Sequence, residues 1–554
     1  MLWIFEEVFL EVSSLTVILG FYLMKVFNVN YSPNRSTPEG GYRKVHSKLI
    51  SRQSSSSAPL SRREKWVLLG VTANLTFITW GLGGMLYWAQ WTIFSLSLFG
   101  FIFCFIPVGG RYTSLTKSHS FKENIRRLIR FPGFWLAIPF LVYALIQAMN
   151  PIWALEFFAG NVFWNPVYFW DNFPTSIRAP AKLLFTNRGM PFGGMNAYLE
   201  LLIFGSGILM CWTVWIGLVS KKAIRFLYWV LGVNVTFMGL FGVIQYWLSD
   251  PSSRYIYGLV WSRSEYYFGS FVYRNHAAVL LYLALGICLG LFFFYFNQAR
   301  RVQKRSGPHY LLFLFSVCLS ASIVVDASRG GILVMCALWV LAGLLGLTYI
   351  IRAINTNAVW ALSTILIVLI GSLAFFSFVA DKSVLGGRLK ETIEGIHDPK
   401  SGFRYHLYQS TIKLFEDHQL YGSGGGSYRY YIPAYMTSHD AFMHDVNGVK
   451  QLKFRANYAH CDYLQLLAEY GIVGFSFISL FALYWLCKAF LLRRYFNRLS
   501  GMILLSGLMM LFHASIDFLL YSPSLLIAFS FMVVSSIRLG QLEKDRWDRL
   551  SGEG

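Results

Sequence analysis

The chain has 554 residues, of which 55% are hydrophobic and 14% charged. A water-soluble domain carries about 25% charged residues, so the composition excludes an ordinary soluble globular protein. The net charge of +21 would suit a nucleic-acid binder, but its Lys and Arg residues cluster in short loops between apolar blocks. That is a membrane-topology pattern and argues against nucleic acid as a partner.

The apolar blocks run about 17–25 residues, enough for a helix to cross a hydrocarbon core of about 30 Å. They are apolar all round rather than alternating, so they predict helices and not barrel strands. The first, 8–27, follows Glu6 and Glu7 and contains Glu11. It lacks the basic start of a cleavable signal and is either a span or an interfacial helix. A basic, Ser-rich arm follows over 29–65. Twelve spans are then predicted at 66–86, 89–108, 134–150, 199–219, 226–247, 276–296, 310–327, 331–350, 358–380, 465–492, 499–518 and 522–538. Alternate connections are basic, which assigns 109–133, 220–225, 297–309, 493–498 and the tail to the cytoplasm. The loops 151–198, 248–275 and 381–464 then face outward. The expected fold is an all-α polytopic membrane protein of about 12–13 transmembrane helices with one large, partly helical outward loop.

Of the seven cysteines, only Cys461 lies near a helix mouth, and no disulfide or zinc spacing is expected. No fixed-period internal repeat is evident.

Loop 381–464 is too long for a connector. Its many tyrosines argue for packing against the membrane domain. A helical pattern over 401–418 puts Arg404 on one face with Leu407, Tyr408, Thr411 and Phe415. Arg404 is either a snorkelling surface residue or a cation aimed at a phosphate, which guanidinium binds bidentately. The run Gly422–Ser427 could cradle phosphate, but a helix end with a tight turn fits it better. His460 stands at the mouth of the span near 465, on one helical face with Leu464, Leu467, Gly471 and Gly474; the glycines would admit another helix. A histidine at a water–lipid boundary is a candidate general base. His439 and His444, beside Asp440 and Asp445, form a weak candidate metal site. Arg274 and His276, Asp326 and Arg329, and His513 and Asp517 are further ionisable groups at span ends, where such groups are functional or paired. Asp326 and Arg329 could pair at i, i+3.

Taken in order, several segments resemble the O-antigen ligase/polymerase family of polysaccharide-assembly enzymes. They are Tyr273-Arg274-Asn275-His276, Ser328-Arg329-Gly330-Gly331, Arg404, the Tyr421–Tyr428 segment, Ala459-His460-Cys461-Asp462-Tyr463-Leu464-Gln465 with Gly471 and Gly474, and His513 through Asp517. The resemblance covers roughly 225–530. It implies a GT-C-like glycosyltransferase of the bacterial inner membrane that takes a glycan from an undecaprenyl-diphosphate carrier to a lipid or glycan acceptor on the periplasmic side. It implies no metal and no cofactor. It makes His460 the residue that activates the acceptor hydroxyl, with Arg274, Arg329 and Arg404 binding the diphosphate and His276, Asp462 and Asp517 in support. Cys461-Asp462 stands where the family often has Asn after the histidine, which leaves the branch open between ligase, polymerase and protein O-oligosaccharyltransferase. The domain plan is then 1–65 N-terminal segment, with a possible extra span, and basic cytoplasmic arm, 66–380 transmembrane bundle, 381–464 periplasmic loop carrying catalytic elements, 465–538 C-terminal spans and 539–554 cytoplasmic tail. An exporter of an anionic solute is the competing class, and it would favour inverted repeats and broken helices.

Overall fold

The computed structural model describes residues 60–106, 121–158, 161–166, 196–248, 255–258, 260–261, 267–301, 303, 306–354, 402–446 and 448–551. The block at 8–27, most of the arm, the span at 358–380 and the first part of the long loop lie outside the described residues. Each of the other predicted blocks holds a helix. These are α1 (Arg62–Trp80), α2 (Tyr87–Phe103), a short α3 (Phe121–Ile129) that precedes α4 (Pro132–Met149), α5 (Ala197–Gly217), α6 (Lys221–Leu248), α7 (Arg274–Arg301), α8 (His309–Asp326) and α9 (Arg329–Ile354). The long loop contributes α10 (Phe403–Asp417) and α11 (Tyr428–Met436), and α12 (Asp462–Leu492), α13 (Arg498–His513) and α14 (Pro523–Ser551) complete the series.

Eight of the described helices are long and apolar enough to cross a membrane. The other three in predicted blocks fall short for visible reasons. α2 and α13 have 17 and 16 residues, and α1 spends its first turn on Arg62, Arg63, Glu64 and Lys65. The chain is therefore an all-α multi-pass membrane protein. Its described strands are three two-stranded antiparallel hairpins, all in connections: β1–β2 (Trp153–Phe158, Asn161–Pro166), β3–β4 (Tyr255–Ile256, Val260–Trp261) and β5–β6 (Met443–Val446, Val449–Leu452).

The central helix is α7, which packs against α8 and α13. Its apolar sequence on every face is what a helix surrounded by others requires. The two ends of the bundle differ sharply. At one end Glu64 accepts the N–H groups of Val219 and Ser220 at 3.0 and 2.8 Å, and Arg538 donates to the Leu218 carbonyl at 3.1 Å. Lys221 pairs with Glu543 there. At the other end stand the starts of α7, α9, α12 and α14 and the described part of the long loop. α14 runs on to Ser551, past the predicted span end at 538, because i, i+4 pairs such as Lys544–Asp548 (2.9 Å) and Gln541–Asp545 (2.7 Å) support its polar extension.

α12 departs most from expectation. Gly471 sits at φ 63°, ψ −174°, and breaks the helix. No second helix enters there; the segment after α10 does. The N–H groups of Ile472 and Val473 donate to the carbonyls of Gln419 and Leu420, at 2.8 and 3.1 Å. In return Ser423 and Gly424 donate to Ala468 and Glu469, both at 2.9 Å. The backbone groups freed by the break are thus paired with protein, as apolar surroundings demand. A Cβ on Gly471 would lie 2.4 Å from the Leu420 carbonyl oxygen, and one on Gly422 2.2 Å from that of Glu469. Gly474 instead accommodates the Tyr143 ring of α4. We expect Gly471→Ala to cost about 3 kcal/mol or more, from strain and backbone overlap together. The check is the thermal unfolding midpoint in detergent; a midpoint equal to wild type would refute the account.

Candidate functional site

The site is built from three connections at one end of the bundle. α13 ends at His513, and the turn that follows carries Asp517 before α14 starts. Asp462, the first residue of α12, holds that turn in place. Its backbone N–H donates to the Ala514 carbonyl (2.9 Å), and its carboxylate accepts from the N–H groups of Leu519 and Leu520, both at 2.8 Å. Asp462 is a positioning residue: it fixes the loop on which Asp517 sits.

Asp517 is buried and well satisfied. Oδ1 accepts from the Phe518 N–H (2.9 Å) and is 3.0 Å from His460 Nδ1, while Oδ2 accepts from Asn275 (2.6 Å) and Tyr273 (3.4 Å). Burial pushes the Asp517 carboxyl up, but the His460 hydrogen bond and the charges of His460, Arg404 and His276 outweigh it and hold the group well below the usual carboxylate range. An ionised Asp517 can only accept, so His460 carries its proton on Nδ1.

His460 is not on the helix. It precedes α12 by two residues, in the left-handed region at φ 52°. This corrects the expectation that it shares a helical face with Leu464, Leu467, Gly471 and Gly474. The positive φ turns the side chain back across the start of α12 toward Asp517. Tyr408 of α10 locks that conformation by donating to the His460 carbonyl at 2.8 Å. Burial pushes the Tyr408 phenol up to about 12, so it remains a donor. The Phe518 ring meets His460 edge-on at 5.2 Å. The His460 side chain is 24% exposed, and its Nε2 has no hydrogen-bond partner among the described residues. An imidazole held at Nδ1 by a carboxylate, with Nε2 open, is the arrangement of a general base.

His276 supports the same turn, with Nε2 2.8 Å from the Phe518 carbonyl. The cations lie around this pair. Arg404 is exposed on α10, makes no hydrogen bond or ion pair among the described residues, and is close enough to act on Asp517, Tyr273 and Tyr408. Arg274, at the start of α7, acts on Tyr273 as well. Arg329 opens α9 and is exposed. The next residue, Gly330, lies under His513: a Cβ there would be 2.3 Å from the imidazole Nε2. Asp326 does not pair with Arg329 as the spacing suggested. Ala327 in the left-handed conformation (φ 56°) reverses the chain between them, and the cation acting on Asp326 is Arg274.

Two other expectations resolve structurally. Six of the seven N–H groups of 422–428 are engaged: Gly422 with His418, Ser423 and Gly424 with α12, Gly425 with Gln147, Ser427 with Gly424 and Tyr428 with Glu469. The segment is a plug for the break in α12, anchored on Gln147 and Glu469, and not a phosphate cradle. In the hairpin region, Asp440 pairs with Lys450 (2.8 Å) and Asp445 caps the β5–β6 turn at Gly448 (2.8 Å). No group of three or more potential metal-ligating side chains occurs among the described residues.

Sequence reasoning gave no role to Asn275, Tyr408 or Phe518. Asn275 was detectable as a polar residue at a span mouth. The other two are recognisable only once α10 and the 514–522 turn are seen to meet at His460.

A helical membrane bundle with an aspartate-oriented histidine and exposed arginines at one end defines a multi-pass membrane protein with a candidate transfer site at the membrane surface. Residues 314–479 match the family model for O-antigen ligase. The match covers less than a third of the chain and supports an assignment to the O-antigen ligase/polymerase family, whose members are membrane glycosyltransferase-type enzymes of polysaccharide biosynthesis. The matched stretch includes Arg329, Arg404, His460 and Asp462. No curated protein matches the chain.

Proposed function

We propose that the protein transfers a glycan from an undecaprenyl-diphosphate carrier to an acceptor hydroxyl, as an O-antigen-type ligase or polymerase, at the periplasmic face of a bacterial inner membrane. The observation that carries this reading is the His460–Asp517 pair with an open Nε2. His460 takes the proton of the acceptor hydroxyl as its oxygen attacks the anomeric carbon. The bond from that carbon to the diphosphate oxygen breaks, and the lipid diphosphate leaves. Arg274, Arg329 and Arg404 stabilise the charge that develops on it, in place of a metal ion. Asp517 stabilises the imidazolium. Under this reading 381–464 is the catalytic loop between the bundle at 66–380 and the C-terminal spans at 465–538, with the arm at 29–65 and the tail at 539–554 on the cytoplasmic side. The sidedness rests on the basic loops, which gather at the end of the bundle opposite His460.

The exporter reading draws one observation to itself, the broken helix α12. That break is filled by backbone from 419–424, which pairs with the freed groups of α12, and this favours the enzyme.

The direct experiment is the envelope glycan profile of a deletion strain. Loss of acceptor-linked glycan with long carrier-linked chains retained identifies a ligase, and single repeat units on the acceptor identify a polymerase. An unchanged profile refutes both. Because Arg404 is exposed and would act on the donor diphosphate, Arg404→Gln should raise the KM for lipid-linked donor about tenfold or more and leave the unfolding midpoint unchanged. A donor titration with purified variant reads this; an unchanged KM removes Arg404 from the site.

A further inference from the structure

At the end of the bundle opposite His460 there is a second concave site. It is a cavity of about 330 Å³ between the α3–α4 elbow, the end of α5, the far part of α12 and the middle of α14. Four cations line it, Arg127, Arg130, Lys488 and Arg538, against one carboxylate, Asp545. Asp545 is already engaged by Gln541 at 2.7 Å. The Arg127 Nη1 is buried with no hydrogen-bond partner. Two of the cations share one indole: Lys488 Nζ lies 5.6 Å and Arg538 Cζ 5.2 Å from the Trp215 ring. Phe131 stacks on that indole at 5.4 Å. Gathering four like charges beside aromatic rings is unfavourable unless an anion compensates them.

The surroundings of the cavity indicate where the anion comes from. Ile129, Trp135, Phe490 and Leu491, neighbours in sequence of its lining residues, each expose more than half of their surface. Around a protein that spans a membrane, apolar side chains of this kind face acyl chains, so a headgroup can enter laterally with its tails in lipid. Basic pockets between helices at the positively charged membrane side bind anionic headgroups in this way. We propose that this cavity is a binding site for the phosphodiester headgroup of an anionic phospholipid. Arg127 and Lys488, both partly buried, are its ligands, and Arg538, tied to the Leu218 carbonyl at 3.1 Å, is its fixed floor. The site is separate from the transfer chemistry and does not depend on its assignment.

The test uses the full-length protein in detergent. Its thermal midpoint is followed as phosphatidylglycerol, phosphatidylcholine or inorganic phosphate is added. We expect phosphatidylglycerol to raise the midpoint, phosphatidylcholine to leave it unchanged, and R127Q/K488Q to lose at least half of the shift. The control R494Q, an exposed cation at the same end, should retain it. Equal shifts with both lipids, or an undiminished shift in R127Q/K488Q, overturn the proposal. An equal shift with inorganic phosphate overturns the lipid as its source and leaves a free-anion site. Should R127Q/K488Q fail to fold, K488Q alone, on the half-exposed surface of α12, must show a reduced shift for the proposal to stand.

Discussion

His460→Ala is expected to lower the turnover of glycan transfer by roughly 10²–10⁴-fold, the usual contribution of a positioned general base. The KM for the lipid-linked donor should change little, because the donor contacts assigned here belong to arginines. The protein should fold normally. The His460 side chain is partly exposed, its ring is held by one hydrogen bond, and the bond that fixes this part of the chain uses its backbone carbonyl. Alanine tolerates a left-handed φ less well than glycine but keeps that carbonyl in place. In vitro transfer with purified variant, beside its unfolding midpoint, separates loss of chemistry from loss of fold. Wild-type turnover in a folded His460→Ala protein would remove the general-base assignment.

Asp517→Asn is expected to lower turnover by about 10²-fold or more, through a different physical route. The carboxylate now only accepts. With its oxygen in the Oδ2 place the amide still accepts from Asn275, and its NH₂, in the Oδ1 place, faces His460 at the cost of the bond from the Phe518 N–H. Nδ1 then becomes an acceptor, the proton moves to Nε2, and the imidazole faces the acceptor hydroxyl in the wrong tautomer. Because Asp517 acts only through His460, the double variant His460→Ala/Asp517→Asn should be no slower than His460→Ala alone. Additive losses would show that Asp517 has a separate role. Stability should also become pH-dependent in a defined direction. The folded carboxyl is held below its unfolded value, so its contribution is fully present above the unfolded carboxylate range of about pH 4 and is lost as the pH falls through the folded value. Asp517→Asn should flatten that acid limb of the unfolding midpoint against pH.

These expectations depend on a pairing that no local pattern in the chain reveals. His460 and Asp517 are 57 residues apart in sequence. Each is visible as an ionisable residue at a span end, where burial is costly enough to require a role. The partner of each depends on how α12, α13 and the following turn pack. The same holds for Asp326, which spacing assigned to Arg329. A left-handed Ala327 reverses the chain between them, and neither Asp326 oxygen has a hydrogen-bond partner among the described residues. The glycine-rich segment shows the converse. Its composition is compatible with a phosphate loop, but nearly all of its N–H groups are engaged, by the broken α12, by Gln147 and Glu469, and within its own turns.

What the amino-acid order determined by itself was the membrane class, the position of each helix found among the described residues in the predicted blocks, and the helix in the long loop. Hydrophobic run length and loop charge act locally, one segment at a time, so they can be read without knowing the fold. The identity of His460 as the residue to watch was legible for the same reason. What only the tertiary structure decided was where that residue stands and what holds it. It stands off its helix, turned by a positive φ, with Asp517 behind it and Asp462 holding Asp517 in place. Hydrogen-bond geometry across 57 residues depends on the packing of three connections at once, and a one-dimensional pattern does not encode which lone pair meets which proton.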